Sequence, residues 1–428
     1  MSMAEVKNIH FIGIGGIGMS ALARLAKFEK ISVSGSDVVD SDLLAALEAE
    51  GMTIFREQGA ENIDPNVDLF VYTEAMSQHH PELLAARATG KRVVNYFEAL
   101  GEFVNPYYLI AVAGTHGKTT TTAMLTDVFE AAEQDPTAII GSLRASTKKN
   151  FRPGKSKYAI VEACEYKRDF LTLTPDVLVI LNIEHEHVDF YRSTEEVIQA
   201  FKELVAKVHE TGVVIANLQD KNVVAAVAEA QVPVIDYNEL LDLQLPMQQP
   251  GLHTRMNAAA ALAVAKHEKL SLEVARKALS SFAGTWRRFE YKAEVNGAPV
   301  YDDYGHHPTE IAATLAGAKE LHPDKELTVV FQPHTYSRTK ELFNDFAKSF
   351  KGADHVVFVP IYAAREELDP DVSSRELAVR TIEYCTDSQY ADSLETAEVM
   401  LRERIGPHDV VLVMGAGDVT ALATKLVS

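Results

Sequence analysis

The amino-acid sequence predicts an α/β protein built from three domains. Short apolar runs rich in isoleucine and valine alternate with stretches of helical character, a pattern that favours parallel sheets flanked by helices. The chain has 428 residues, which is too many for one ordinary hydrophobic core. The apolar runs also fall into three groups that are separated by two breaks.

The first group of strands consists of "NIHFIGIGG", "ISVSGSDV", "DLFVYTEA" and "KRVVNYFEAL". It ends near Asn105-Pro106, because a residue before proline disfavours a continuing helix. The second group contains "KYAIVEA", "DVLVILNI" and "TGVVIANL" and ends with the alanine-rich helix "RMNAAAALAVAKH". The third contains "PVYDDYG", "ELTVVFQP", "DHVVFVPIY" and "DVVLVMGAG". The predicted domains are therefore residues 1–106, 107–283 and 284–428.

Composition limits the class of protein. Hydrophobic residues make up 47% and charged residues 24% of the chain, as in globular proteins. The net charge of −20 argues against nucleic-acid binding and against attraction to acidic membranes. Two cysteines, Cys164 and Cys385, exclude a disulfide framework and a four-cysteine zinc site. The first residues lack a signal-peptide pattern and no apolar run is long enough to span a membrane, so we expect a cytoplasmic protein.

The segment "GTHGKTTTT", residues 114–122, predicts a phosphate-binding loop. Glycines allow backbone N–H groups to converge on an anion, Lys118 adds a positive charge, and the hydroxyl of Thr119 can hold Mg²⁺. The match to the P-loop pattern is partial, because Val112 occupies the position of its first glycine. The order of strand, loop and helix around the segment favours ATP binding over an ordinary polar turn.

Acidic and imidazole groups follow the next predicted strands, where open α/β sheets bind ligands. They are Glu162, Glu165, Glu184, His185, Glu186, His187 and Asp189. Carboxylates suit Mg²⁺, although most of the last five groups are better explained as solvated loop charges. A zinc site at His185 and His187 is disfavoured, because no third nitrogen or sulfur ligand lies near them in the sequence.

The glycines of "GIGGIG" lie between the first predicted strand and a helix. Gly13, Gly15 and Gly18 follow the G-x-G-x-x-G spacing, and Asp37 comes after the second strand. This context predicts a loop that binds a nucleotide diphosphate at a helix N-terminus. NAD, a UDP-linked substrate and a tight turn without a ligand all remain compatible with the glycines themselves.

Seven motifs in order resemble the Mur ligases of peptidoglycan synthesis. They are "GIGGIGMSALA", "AGTHGKTTTTAML", "EACEY", "LNIEHEHVD", "DDYGHHPTE", "FQPHTYSRTKELF" and "VMGAGDV", and they extend from about residue 8 to residue 422. The resemblance implies a Rossmann-like N-terminal domain for a UDP-sugar, a central P-loop ATPase domain and a Rossmann-like C-terminal domain for the amino acid. It also implies a cytoplasmic ligase that uses ATP and Mg²⁺ to join L-alanine to UDP-N-acetylmuramate through an acyl phosphate, as a monomer or weak homodimer.

The resemblance assigns roles to individual positions. The implied ATP-binding residues are Gly114, Thr115, His116, Gly117, Lys118, Thr119, Thr120, Asn257 and Arg288. The implied UDP-sugar residues are Gly13, Gly15, Gly16, Gly18, Ser36 and Asp37. The implied amino-acid residues are Tyr304, His306, His334 and Arg338. The implied metal ligands are Thr119, Glu165 and His187, and the implied catalytic residues are Lys118, His334 and Arg338.

The sequence departs from the family pattern at several positions. Cys164 and Glu186 stand where aspartate is more common, and Thr254 stands where asparagine is usual. The stretch between "ANLQD" and "QQPGLH" is also shorter than in most relatives. Three other functions therefore stay open: a recycling ligase that attaches a tripeptide, an inactive nucleotide-binding relative, and an NAD-dependent oxidoreductase. The segment "FQPHTYSRT" favours L-alanine over the tripeptide.

Overall fold

The computed structural model of the protein describes residues 3–188 and 190–428, and these form two compact units. The first unit consists of the described residues of Met1–His185, Ser193–Leu240 and Ala259–Leu279. The second consists of those of Glu186–Arg192, Leu241–Ala258 and Ser280–Ser428. Within the described residues, two sheets belong to the first unit and one to the second.

The first sheet is entirely parallel. Its strands are β1 (Asn8–Ile12), β2 (Ser32–Ser36), β3 (Thr53–Phe55), β4 (Leu69–Tyr72) and β5 (Arg92–Asn95), in the order β3-β2-β1-β4-β5. Its helices are α1 (Ile17–Phe28), α2 (Asp42–Ala49), α3 (Pro81–Ala88) and α4 (Tyr96–Val104). The strand order reverses beside β1, which is where open α/β sheets bind ligands. The glycine-rich loop that follows β1 therefore opens at this point.

The second sheet has the lysine loop at its centre. Its strands are β6 (Tyr108–Ala113), β7 (Thr137–Ile139), β8 (Phe151–Arg152), β9 (Tyr158–Glu162), β10 (Val177–Ile180), β11 (Val213–Ala216) and β12 (Val234–Asp236). The order is β12-β11-β10-β6-β9-β7-β8, and the pair β7–β8 is antiparallel. The helices are α5 (Lys118–Ala131), α6 (Thr194–Val205), α7 (Lys221–Val227), the alanine-rich α8 (Leu252–His267) and α9 (Leu272–Ser280).

Local sequence explains where these elements begin. The apolar side chains of β6 are buried on both faces, as expected for a central parallel strand. Ser41 accepts a hydrogen bond at the start of α2, and Ser193 does the same for α6. Asn95 and Glu98 form a reciprocal capping box that starts α4 directly after β5. The first turn of α4 is thus fixed at the carboxyl edge of the first sheet.

The second unit contains the third sheet. Its strands are β13 (Glu290–Val295), β14 (Ala298–Asp303), β15 (Glu326–Phe331), β16 (His355–Phe358), β17 (Asp387–Tyr390) and β18 (Asp409–Met414). The order is β13-β14-β18-β15-β16-β17, parallel except for β13–β14. Its helices are α10 (Pro308–Leu321), α11 (Tyr336–Glu341), α12 (Phe343–Ser349), α13 (Ser374–Thr381), α14 (Leu394–Arg404) and α15 (Thr420–Val427). Phe331, Phe346, Phe350 and Phe358 pack together on one face of this sheet.

The predicted α/β class is confirmed, and each apolar run named from the sequence forms a strand. The strands without such a run are mostly two to four residues long or lie at sheet edges, like β8 and β17. The predicted boundary after residue 106 lies inside the first unit and stays a prediction. No helix among the described residues has the length and apolar character needed to cross a bilayer.

Candidate active site

The lysine loop connects β6 to α5 at the carboxyl end of the central strand. Gly114 has a φ of 140° and Gly117 a φ of 87°, both in the left-handed region that favours glycine. Space also restricts Gly114, since a Cβ there would lie 3.0 Å from the Cβ of Leu181. The loop therefore brings its backbone close to the neighbouring strand and ends at the N-terminus of α5, a geometry that suits phosphate binding.

Lys118 forms a nearly buried ion pair with Glu165. Its Nζ lies 2.9 Å from Oε2 and 3.1 Å from Oε1 of Glu165, and it also donates to the carbonyl groups of Gly114 and Thr115. The side chains are 16% and 2% exposed. Burial acts to lower the pKa of Lys118, but the charge and hydrogen bonds of Glu165 together with smaller contributions from neighbouring groups outweigh burial, and the pKa is raised. The loop therefore carries a fixed positive charge.

Asn182 holds the lysine loop in place, and sequence analysis did not single it out. Its Oδ1 accepts from the backbone N–H of His116 at 2.8 Å, and its Nδ2 donates to the carbonyl of His116 at 3.0 Å. Its own carbonyl accepts from the N–H of Thr115 at 3.0 Å. Asn182 alone thus satisfies several backbone groups of the loop. Its place in "LNIEHEHVD" was the available signal.

Thr119 and Glu162 bring oxygen donors together next to this loop. The hydroxyl of Thr119 donates to Oε2 of Glu162 at 3.1 Å, and the N–H of Gly141 donates to the same carboxylate. Glu162 is the last residue of β9, and Glu165 follows shortly after it. A hydroxyl and two carboxylates at one sheet edge form a donor set that fits Mg²⁺.

The glycine-rich loop is held by the end of β2. The N–H of Gly15 donates to Oδ2 of Asp37 at 2.9 Å, and the N–H of Gly13 donates to the carbonyl of Ser36 at 2.8 Å. Gly13 has a φ of 87°, and Gly16 is the N-cap of α1. A Cβ at Gly18 would lie 2.7 Å from Cζ of Tyr96. These contacts shape a loop at the N-terminus of α1.

The side chain of Ser36 belongs to a buried polar network. Its hydroxyl donates to Oε2 of Glu82 at 2.8 Å, and Oε1 of Glu82 lies 3.0 Å from Nε2 of His10. Asn62 also donates to Glu82, and all four residues are buried. Ser36 therefore contributes to the glycine loop through its carbonyl group, while its hydroxyl stabilises the sheet beneath.

The predicted amino-acid residues cluster in the second unit. The rings of Tyr304 and His306 meet edge to face with centroids 5.4 Å apart, and those of His306 and His334 lie 5.9 Å apart. Nη1 of Arg338 lies 3.2 Å from Nδ1 of His334 and donates to its carbonyl at 2.6 Å. Tyr362, which the sequence did not indicate, stacks on His334 at 5.6 Å. All four predicted residues are thus brought together.

Arg338 is paired with Glu186. Nη2 and Nε of the guanidinium lie 2.6 Å and 3.0 Å from Oε1 of Glu186, and the two side chains are 13% and 9% exposed. Burial acts to raise the pKa of Glu186, but the charge of Arg338 together with smaller contributions from neighbouring groups outweighs burial and holds the pKa well below its usual range. The arginine that was expected to face a substrate carboxylate therefore already holds a protein carboxylate.

The two histidines of this cluster are neutral near pH 7. Burial lowers the pKa of His306 to about 4, against the opposing charge of Glu310. Burial, followed by the charge of Arg338, lowers the pKa of His334 to about 4. Both rings can accept a hydrogen bond at neutral pH, but neither is a strong base.

Three further predicted residues lie in the second unit. The guanidinium of Arg288 is 3.7 Å from Oε1 of Glu310 and 5.1 Å from the ring centroid of Tyr304. Asn257 is a buried residue of α8. The N–H of His187 donates to Oε1 of Glu186 at 3.3 Å. Asp189 lies outside the described residues.

The departures from the family pattern have local explanations. The thiol of Cys164 is partly buried, and burial raises its pKa to about 12, so it stays neutral where an aspartate would be charged. Thr254, in the first turn of α8, donates to the carbonyl of Pro250 at 2.9 Å just before the helix. Glu186 makes the ion pair with Arg338 described above.

Family models match most of the chain in order. The "Mur ligase family, catalytic domain" model matches residues 8–108, the "Mur ligase middle domain" model residues 112–241, and the "Mur ligase, glutamate ligase domain" model residues 287–417. The order and extents of these matches parallel the three sheets.

Individual relatives match over nearly the full length. The chain is 39% identical to the UDP-N-acetylmuramate–L-alanine ligase of Agathobacter rectalis, over 98% of this chain and 97% of that protein. It resembles the structure of UDP-N-acetylmuramate-alanine ligase MurC from Thermotoga maritima, with a TM-score of 0.83, 26% identity and 98% coverage of both chains. It also resembles a murein peptide ligase from Psychrobacter arcticus, with a TM-score of 0.73, 26% identity and 98% coverage of both.

Proposed function

The chain belongs to the Mur ligase family, and from that premise we propose that it joins L-alanine to the carboxylate of UDP-N-acetylmuramate at the expense of ATP. The observation that carries the proposal is the Lys118–Glu165 pair in a glycine loop at the start of α5. The reaction takes place in the cytoplasm as a step of peptidoglycan precursor synthesis. The proposed domains are residues 1–106 for the UDP-sugar, 107–283 for ATP and 284–428 for the amino acid.

The first step activates the carboxylate, because a carboxylate oxygen is a poor leaving group. One carboxylate oxygen of the muramoyl group attacks the γ-phosphorus of ATP, the bond to the β-phosphate oxygen breaks, and an acyl phosphate and ADP form. Lys118 stabilises negative charge on the phosphoryl group during transfer. Asn182 keeps the loop backbone in position for the same phosphates. Gly114, Thr115, His116, Gly117 and Thr120 complete the proposed phosphate site.

The donor set of the first unit fits Mg²⁺. Thr119, Glu162 and Glu165 offer one hydroxyl and two carboxylates, the hard oxygen ligands that this ion prefers. We propose Thr119 and Glu165 as ligands, with His187 serving a second ion. When bound, Mg²⁺ supplies positive charge that complements that of Lys118.

The second step forms the amide. The neutral amine of L-alanine attacks the acyl carbon, a tetrahedral intermediate forms, and phosphate leaves with the former carboxylate oxygen and takes up the proton that the nitrogen loses. Arg338 is the proposed partner of the L-alanine carboxylate, and binding would require it to share or exchange Glu186. With a pKa of about 4, His334 is better suited to orient Arg338 than to take the amine proton. Tyr304 and His306 would line the small side-chain pocket.

The glycine-rich loop is the proposed site of the UDP diphosphate. The loop residues Gly13, Gly15, Gly16 and Gly18 would approach the UDP diphosphate at the start of α1, with Asp37 and Ser36 fixing the loop. Asn257 and Arg288 are proposed to contact ATP.

The direct test follows ADP and phosphate release with UDP-N-acetylmuramate, ATP and Mg²⁺ while single amino acids are added. We expect release that depends on L-alanine, with the matching mass increase of the UDP-sugar. Weaker turnover with glycine or L-serine is expected too, because a pocket discriminates against one small group by only about 1–3 kcal/mol.

The same assay separates the alternatives. Release that depends on L-alanyl-γ-D-glutamyl-meso-diaminopimelate, and not on L-alanine, would contradict the proposal and favour the tripeptide ligase. Binding of ATP without any release would indicate an inactive relative. Lys340→Ala serves as the matched control for substitution of Lys118 in this assay, because Lys340 is an exposed lysine paired with Asp369 and Asp371.

A further inference from the structure

Tyr96 lies against the first turn of α1, next to the glycine-rich loop, and no assigned role explains this position. It is the first residue of α4 and directly follows β5, so it lies at the carboxyl edge of the first sheet. Its phenol ring packs on Gly18 in the first turn of α1. A Cβ added at Gly18 would lie 2.8 Å from the Tyr96 hydroxyl oxygen and 2.7 Å from Cζ, so only glycine leaves room for this ring.

The surroundings of Tyr96 also include the end of β9 in the second sheet. Burial raises the pKa of the Tyr96 phenol, and the charge of Glu162 adds to the effect. Glu162 in turn accepts from Thr119 of the lysine loop at 3.1 Å. The phenol hydroxyl therefore lies at the first turn of α1 and within electrostatic range of Glu162, and it stays protonated as a hydrogen-bond donor at neutral pH.

The two sheets meet at the same helical turn. Nδ2 of Asn150 donates to the carbonyl of Ile17 at 2.6 Å and to the hydroxyl of Ser20 at 3.0 Å. Asn150 directly precedes β8 of the second sheet, while Ile17 and Ser20 are in the first turn of α1. The start of α1, on which Tyr96 packs, is thus fixed against the ATP-binding sheet.

The Tyr96 hydroxyl has no hydrogen-bond partner within residues 3–188 and 190–428. The tyrosine is partly exposed, and its ring lies against Gly18 of α1. A phenol in this setting gains most by donating to an anion, because hydrogen bonds to charged groups are stronger than neutral ones. In the proposed ligase reaction, the lactyl carboxylate of the UDP-sugar is the anion that has to reach the ATP phosphates.

We propose that the Tyr96 hydroxyl donates a hydrogen bond to the lactyl carboxylate of the UDP-sugar and orients it for attack on the γ-phosphate. The proposal rests on the proposed ligase function. In that reaction the UDP group lies at the glycine loop and the carboxylate must reach the phosphates at Lys118. Tyr96 is then a positioning residue that contacts substrate, and Gly18 is glycine because the ring must lie against α1.

The test compares two sugar nucleotides on the Tyr96→Phe variant. UDP-N-acetylmuramate carries the lactyl carboxylate, whereas UDP-N-acetylglucosamine has the same nucleotide and sugar ring without it. We expect affinity for UDP-N-acetylmuramate to fall about tenfold in calorimetry, the loss expected for a hydrogen bond to a charged group. Affinity for UDP-N-acetylglucosamine should stay within about twofold, and this also shows that the variant is folded.

Kinetics supply a second measurement. We expect the KM for UDP-N-acetylmuramate to rise and kcat to fall in Tyr96→Phe, while the KM for L-alanine stays unchanged. Tyr107→Phe is the matched control, because it removes a hydroxyl that donates to Glu29 at 2.8 Å at the opposite edge of the second sheet. Its constants should equal those of the wild type.

Two results would overturn the proposal. Equal losses of affinity for both sugar nucleotides would place the hydroxyl on the shared part of the ligand or show a purely structural role. Unchanged affinity and kinetics would show that the hydroxyl does not contact substrate. If the wild-type protein itself fails to ligate L-alanine, the proposed function fails, which is a different result from normal wild-type turnover with an unaffected variant.

Discussion

The two units each contain a nearly buried ion pair at a predicted catalytic position, and the pairs differ in how the cation is held. Lys118 is surrounded by carbonyl groups of its own loop and by Glu165, 47 residues away in sequence. Arg338 is held by His334, four residues before it, and by Glu186, 152 residues away. A lysine is a compact charge, whereas an arginine is a planar fork that matches a carboxylate. The first arrangement suits a phosphoryl group and the second a carboxylate.

In both pairs, the carboxylate partner has to be partly replaced when substrate binds to the cation. Glu165 and Glu186 both offset the cost of burying a cation, and removing either partner would leave the other charge uncompensated. In catalysis, a phosphate or a substrate carboxylate has to take over part of that role. The two cations are therefore kept charged before the substrate arrives.

Lys118→Ala should have the largest effect and tests the first pair. We expect kcat to fall by about 10³-fold or more, because the preorganised positive charge that stabilises the transferring phosphoryl group is lost. The variant should still bind UDP-N-acetylmuramate, and this would show that the loss of activity is not caused by unfolding. Activity above a tenth of the wild-type value would contradict the role of Lys118, and Lys340→Ala should retain full activity.

Arg338→Ala tests the second pair. We expect kcat/KM for L-alanine to fall by about 100-fold, with a smaller loss in Arg338→Lys because the charge stays but the fork is lost. The KM for ATP should be nearly unchanged. Arg402→Ala, which removes an exposed arginine paired with Glu398, is the control. If the KM for ATP changed as much as the KM for L-alanine, the assignment of the Arg338 pair to L-alanine alone would be contradicted.

Asn182→Ala asks how much of the first site depends on loop geometry. The variant leaves Lys118 and Glu165 in place but removes both side-chain hydrogen bonds to His116. We expect the KM for ATP to rise about thirtyfold, consistent with two hydrogen bonds of about 1 kcal/mol each. Asn66→Ala removes an exposed asparagine and should change nothing. An unaltered KM in Asn182→Ala would mean that the loop holds its shape without this residue.

The smallest expected effect concerns pH and the second unit. His306 and His334 have pKa values of about 4 when folded, below the unfolded value of about 6.5. Between these two pKa values the unfolded state therefore binds more protons than the folded state. The contribution of the two neutral histidines to the free energy of unfolding is fully present above pH 6.5 and is lost as the pH drops towards 4. The Glu186 pair adds a loss below about pH 4.5, since its folded pKa is lowered. Chemical denaturation from pH 7.5 to 4 measures the slope.

Substitution separates the histidine contribution to this slope. His334→Gln should reduce the loss of stability between pH 6.5 and 4, whereas His79→Gln, at an exposed histidine, should leave it unchanged. A slope that is the same in all three proteins would show that His334 ionises as it does in the unfolded chain.

Local patterns predicted the parts of the molecule that are local in sequence. The apolar runs, the glycines of both loops and the lysine at the start of α5 each depend on neighbours within one turn or one strand. The pairing of Arg338 with Glu186 depends on residues far apart in the chain, so no spacing indicated it. Asn182 and Tyr96 were missed because a single asparagine or tyrosine after a strand has no distinctive pattern. Their roles depend on the loop opposite them.

The most direct test of the account follows the oxygen atoms of the activated carboxylate. UDP-N-acetylmuramate labelled with ¹⁸O in its carboxylate is turned over with ATP, Mg²⁺ and L-alanine, and the phosphate released is analysed by mass spectrometry. An acyl phosphate predicts that one ¹⁸O moves to inorganic phosphate for each amide bond formed. Amide formation with unlabelled phosphate would contradict the mechanism, and the absence of any amide would contradict the proposed function.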